Sequence, residues 1–459
     1  MHGDGHHEPI PDPPSHREVA LDALAKHQQV TSAYWRWVLL LGALAVLGVV
    51  GFVIRAGDGF DEMKPWGYHV GTMAFIFSTF TAAPIVSAGL RLTKAHFRRP
   101  ITRIAELHAL SGLIVLLMLI PALRALPTLI GRPDIWFDFG LGSPDSWELV
   151  AMTAMLLAGV LLLWVVALPD LAAARDHMPP SARQRLASTL SMGWVGNLRA
   201  WRVHYMGSLV LGGSFLLLYP LIQTLFSSDF HLSLVPGLKD AIFPATMTLV
   251  GMQGAVATTI VTMFIVRRFG GYERYIGVDQ FWALSKPLLA FSLLWFYFWW
   301  ASFLTFWYGR TPAEVSVLQL LFLGPYKFVF MASLILNFLG PLLALMWNPV
   351  RRSVWGPTIV SVGVLIGTWL NSMRVYSSAA SVRSEEVFGH YLETVPPVQW
   401  PDLADVMLSV GAISASALVF LLAAKIVPVI SIWEVGEGLR LVKVRRFYHR
   451  WVRVIAKSH

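Results

Sequence analysis

Apolar residues fall into ten long blocks, separated by stretches that are polar, charged or rich in Gly and Pro. The clearest block lies in residues 285–312, SKPLLAFSLLWFYFWWASFLTFWYGRTP, which opens beside a lysine and closes beside an arginine. At ~1.5 Å rise per residue, the roughly 22 uncharged residues from Pro287 to Tyr308 cover the ~30 Å hydrocarbon core of a bilayer. Lys286 and Arg310 then lie at opposite surfaces, with Trp307 and Tyr308 at headgroup level before the chain breaks at Gly309 and Pro312. The same pattern predicts spans over residues 35–54, 66–90, 104–126, 147–168, 203–226, 241–266, 287–308, 320–347, 354–376 and 404–427. The aromatic run Trp295-Phe296-Tyr297-Phe298-Trp299-Trp300 has two readings: bulky packing between helices and lipid, or a wall beside a flat ligand such as a quinone.

Composition agrees with this pattern. Of 459 residues, 56% are hydrophobic and 14% charged, which is a polytopic membrane protein and not a soluble one. The absence of cysteine excludes a disulfide, a thiolate zinc site, an all-cysteine iron–sulfur cluster and c-type haem attachment. Any redox cofactor must belong to a partner or be held by histidine. The net charge of +9 would suggest nucleic acid in a soluble chain, but the basic residues sit in loops beside apolar spans. Most Lys and Arg lie in the tails and in the loops after even-numbered spans, above all Arg91–Arg103, Arg175–Arg202 and Arg267–Arg274. The positive-inside rule therefore places both termini in the cytoplasm. The first 31 residues are polar, with no basic n-region or cleavage site, and read as a flexible tail rather than a signal peptide. Residues 21–29 read as a short surface helix, and the basic C-terminal tail as a helical segment resting on anionic headgroups.

Ionisable and strongly polar residues inside spans are the site candidates, because charge in hydrocarbon is costly and faces a bundle interior or water. Near the outer face these are Arg124, Glu148, Asp229, Lys327 and Arg374; near the middle, Gln253 and Asn337; toward the inside, His108, Asp170, His204 and Lys425. Snorkelling accounts for Lys425 and is an alternative for Arg124, whereas Lys327 and Arg374 read as a turn inside their spans. His108 and His204 could ligate haem, but a two-haem cytochrome b needs more pairs on facing helices.

Six stretches carry a resemblance. They are SAGLRLTKAHFRRPITRIAE, IGRPDIWF, LPDLAAARD, WRVHY, SLVPGLKDAIFP, and FWYGRTPAE followed by NFLGPLLALMWNPVRRS. In their order and spacing from Trp66 to Val435 the chain resembles the NrfD/PsrC family, the quinone-interacting membrane subunits of periplasmic iron–sulfur and molybdopterin oxidoreductase complexes. It looks most like the ActC and ActF subunits of bacterial alternative complex III.

The resemblance implies an all-α fold of about ten transmembrane helices, with two inverted four-helix bundles and two peripheral helices. The divisions are a polar cytoplasmic tail (1–34), a first peripheral span (35–65), the first bundle (66–230), the second bundle (231–377), an external loop with the tenth span (378–428) and a basic cytoplasmic tail (429–459). It also implies a bacterial inner-membrane location, an ActC-like paralogue, a periplasmic iron–sulfur/molybdopterin-like subunit and c-type cytochrome subunits as partners, with iron–sulfur and haem on those partners and none covalently bound here. In quinol-oxidising members a histidine before the Gly-Arg-Pro turn and an acid at the start of the next span hold the quinol. Here the acid position is Glu148, with Arg124 nearby, but the histidine position is Leu129, and a second histidine position reads Thr81. A leucine cannot relay a quinol proton. FWYGRTPAE also follows the ActF pattern, so the resemblance implies an ActF-like subunit contributing a proton path, with Asp170, His204, Asp229, Gln253, Lys327, Asn337 and Arg374 along it. The alternatives are the quinol-oxidising paralogue itself and a secondary transporter.

Overall fold

The computed structural model of the chain describes residues 15–127, 145–383, 386–447 and 450–455. Among these, ten helices are long and apolar enough to cross a membrane: Ser32–Gly57, Lys64–Leu92, Thr102–Arg124, Ser146–His177, Leu198–Leu232, Phe243–Gly270, Val278–Gly309, Lys327–Leu345, Trp355–Ala380 and Leu403–Ala423. They are the ten apolar blocks, taken below as spans one to ten. The eighth differs. A separate helix Pro312–Leu323 precedes it, capped by Thr311 and Glu314 reciprocally, and the chain breaks at Gly324 before the span begins at Lys327. A side chain at Gly324 would meet the Gln319 carbonyl at 2.4 Å, so the break needs glycine.

Contacts between helices close two rings of four. Spans two, three, four and five pack in sequence and five returns to two; spans six, seven, eight and nine do the same. Four crossings apiece bring the chain into both rings from the same membrane face. The rings meet where span two lies against spans six and nine. Span two can sit there because it is rich in Gly, Ala, Ser and Thr, and 83% of its apolar window is buried, against 11% for span one. Spans one and ten form a separate pair against the first ring. A Cβ at Gly48 would lie 2.6 Å from Gly411 Cα, and one at Gly51 would lie 2.8 Å from the Ala404 carbonyl. Small residues on both helices are what lets the two backbones approach so closely.

Both terminal segments lie at one end of the molecule, the terminal face. The helix His16–Gln28, which the sequence places on a membrane surface, packs instead on protein. Its Val19, Ala20, Ala23 and Leu24 are buried, and it contacts span four and the helix Ile432–Leu441. Lys425 Nζ donates to the Gln29 carbonyl at 2.7 Å and to the His27 carbonyl at 3.3 Å, capping the helix end where a cation is favoured. The basic tail is also not helical throughout. After Leu441 it forms an antiparallel hairpin of β1 (Val442–Phe447) and β2 (Arg450–Ile455), with Val442 opposite Ile455. The alternation VKVRRF and RWVRVI has the period of a strand, which outweighs the helical spacing of its charges.

Candidate functional site

Among the described residues four π-turns occur, three in spans, Phe77–Thr81, Ser228–Leu232 and Ile335–Leu339, and one, Gln319–Leu323, in the helix before span eight. Such turns release carbonyls from the helical ladder and re-aim side chains. Three of the four serve a buried polar group. Leu321 O accepts from Arg374 Nη1 at 2.7 Å, Asn337 O accepts from Gln253 Nε2 at 2.7 Å, and the third turn itself carries Asp229 and His231. Buried polar side chains gather at three depths.

At the face opposite the termini lie Glu148, Asp229, His231, Arg374 and Tyr376, all buried and contributed by spans four, five and nine. His231 stacks on Phe243 at 4.4 Å between ring centroids and meets Tyr376 edge-on at 6.4 Å. Its ring lies beside the Val375 backbone, yet neither nitrogen makes a well-formed hydrogen bond. The Tyr376 hydroxyl faces Ser227, again without good geometry, and lies in the field of Glu148. Arg374 also donates to Asn371 Oδ1 at 2.9 Å and lies over the rings of Phe322 and Phe330. Buried polar atoms of this kind are ordinarily satisfied by ordered water.

The middle station belongs to the second ring. Gln253 donates to Ser292 Oγ as well as to Asn337 O, both at 2.7 Å, joining spans six, seven and eight. Gly367 makes room for Asn337, since a Cβ there would lie 2.4 Å from its Oδ1. From Gln253 to Thr262 along span six is about 13 Å of helix rise. There Thr262 Oγ1 meets His108 Nε2 at 3.0 Å, and His108 stacks on Phe420.

At the terminal face four charges of the first ring cluster with one from the helix Ile432–Leu441. Arg91 pairs with Glu106 at 2.6 Å and with Glu434. Arg103 pairs with Asp170 at 2.9 Å and with Glu106 at 3.3 Å. Ser87 donates to Glu106, Thr102 to Glu434, and the backbone N–H of Trp433 to Asp170 Oδ1. Arg103 and the Trp433 indole both donate to Val166 O, and the His204 ring lies against the same carbonyl, boxed by Trp194, Trp201 and Trp433. The helix Ile432–Leu441 thus completes the cluster by supplying Glu434 and the Trp433 amide.

The structure sorts the residues singled out in the sequence. Glu148, Asp229 and Arg374 share the far station; Gln253 and Asn337 bond in the middle; Asp170 and His204 join the terminal cluster. One expectation fails. Lys327 is exposed, because its span starts at Lys327 itself and not at Leu320, so its ammonium lies over Phe328 at the helix mouth and not inside the ring. Arg124, the last residue of span three, is also exposed, whereas Glu148 is fully buried. Arg374 is buried but permanently charged, so it can set a field and cannot pass a proton. His231, Tyr376, Glu106, Arg91, Arg103 and Glu434 were missed. Glu106 has a legible signal as an acid within an apolar span, whereas Arg91 and Arg103 read in the sequence only as markers of orientation. The Gly-Arg-Pro turn and Leu129 lie outside the described residues. No known protein family matches the chain, and no curated protein aligns with it.

Proposed function

We propose that the chain is an ActF-like membrane subunit of a quinol:electron-acceptor oxidoreductase complex of the alternative complex III type. It lies in a bacterial inner membrane, terminal face in the cytoplasm, and contributes a transmembrane proton path while partner subunits carry the redox centres. One observation carries this reading: titratable groups are buried at both ends of the ring pair, and the Gln253–Ser292–Asn337 bridge and the Thr262–His108 pair lie between them. Gln and Asn orient water and do not titrate, so the titrating steps fall on Asp170, Glu106 and Glu434 at one end and on Glu148, Asp229, His231 and Tyr376 at the other. The far face would dock the iron–sulfur subunit, with an ActC-like paralogue beside it in the membrane. The test is the proton-to-electron ratio of the complex in vesicles. Asp170→Asn lowers it in the complex that assembles, with subunit content measured in parallel; an unchanged ratio in intact complex sinks the path.

A second reading draws on His231 and Glu148 flanking Tyr376. A buried histidine and acid at that face are the donor set a quinol head group needs, which is the chemistry of the quinol-oxidising paralogue. Quinol oxidation that collapses in Glu148→Gln with normal assembly selects this reading, and near-normal turnover selects the first.

A further inference from the structure

The aromatic run of span seven lines a cavity of about 40 Å³ in the second ring, together with Arg374 and Asn371 of span nine and Phe322 of the preceding helix. At ~10–15 Å³ per water this holds roughly three waters, far below the ~150 Å³ that admits even benzene. A quinone ring does not fit, so the wall formed by Trp295 and Trp299 encloses something smaller.

The polar atoms left over on this lining are donors. Arg374 Nε has no protein acceptor, and neither has Trp299 Nε1. Asn371 spends its oxygen on Arg374 and has only the Met247 sulfur, at 3.9 Å, against its amide nitrogen. The one carboxylate on the lining, Asp240, is occupied locally, Oδ1 by the Ile242 N–H at 2.9 Å and Oδ2 by Ser302. Among the described residues Arg374 forms no ion pair, although it is 5% exposed. A buried guanidinium without an ion-pair partner is strongly unfavourable, and unpartnered N–H groups in an aromatic-walled space of this size complement a small negative ion.

The geometry points to a buried site for a small monovalent anion of halide size, held by Arg374, Trp299 and Asn371. This does not depend on the proton path. The anion neutralises Arg374 and fixes spans seven and nine together. The probe is chloride itself. Purified full-length protein is titrated with chloride or bromide, gluconate holding ionic strength constant, and thermal unfolding is followed. Saturable stabilisation by both halides is expected. Trp299→Phe keeps the ring and removes one donor; losing a hydrogen bond to a charged group raises the half-saturating chloride concentration about tenfold. Arg374→Gln abolishes the halide response. Equal unfolding temperatures in chloride and gluconate overturn the site, as does a halide response unchanged in folded Trp299→Phe, or stabilisation by a short-chain quinone in place of chloride.

Discussion

Arg103 and Asp170 meet at 2.9 Å with both side chains wholly buried, although they sit on different spans. Asp170 Oδ1 takes the Trp433 amide at the same time, so a single carboxylate ties span three, span four and the helix after span ten. Removing one partner of a buried pair strands the other, at about 3–5 kcal/mol. Asp170→Ala should therefore lower the denaturation midpoint and loosen residues 432–441, read as faster proteolysis there. Arg103→Met combined with Asp170→Leu should cost less than the sum of Arg103→Met and Asp170→Leu alone.

Gly251 faces Tyr219 so closely that a Cβ would fall 1.5 Å from the hydroxyl oxygen. Tyr219 is fully buried and stacks on Phe77, so it has little room to move. Gly251→Ala should destabilise the contact between the two rings by about 1–3 kcal/mol. Tyr219→Leu in the same protein should recover part of that, measured as unfolding temperature in detergent.

The ten spans were legible because each is a long apolar run bounded by charge, and the bilayer sets its length. What the sequence did not reveal depends on local backbone choices with no hydrophobic period. The break at Gly324 moved Lys327 from inside a span to its mouth, and the π-turns aimed His231 and the Asn337 carbonyl inward. Arg91 and Arg103 were hidden for another reason. A basic residue beside a span reads the same whether it meets headgroups or a buried acid, and only the fold, which brings Glu106 and Glu434 to Arg91 and Asp170 to Arg103, decides between them.

His27 supplies a pH dependence outside the spans. Burial, with the Lys425 and Arg183 charges beside it, pushes its pKa down to about 4. The unfolded segment binds the proton near pH 6.5 and the docked helix does not, so docking is fully stable above about 6.5 and weakens as pH falls toward 4. Cleavage of the helix His16–Gln28 by an acid-tolerant protease should rise over that window, and His27→Leu should flatten the dependence.

Topology can be read with single cysteines, because the chain has none of its own. Ser188 and Thr311 are both exposed, one between spans four and five, the other between spans seven and eight. Cysteines placed there should react with an impermeant maleimide from opposite sides of the membrane. Labelling of both from one side would remove a crossing between them.

Lys327 and His231 separate the depth read along the chain from the geometry of the fold. Lys327 is exposed at the start of its span, with its ammonium over Phe328, so Lys327→Met removes a snorkelling charge and no buried contact. It should leave assembly, turnover and the proton-to-electron ratio within error of wild type. His231 is wholly buried, stacked on Phe243 and set between Arg374 and Tyr376. His231→Phe keeps the stacking and removes the only imidazole at that station among the described residues, so stability should change little. Proton release at the far face, or quinol turnover if the second reading holds, should fall about tenfold or more, the scale lost with a positioned proton-transfer group. A complex in which His231→Phe is silent and Lys327→Met is not would place the working groups along the mouth of span eight and reject the far station.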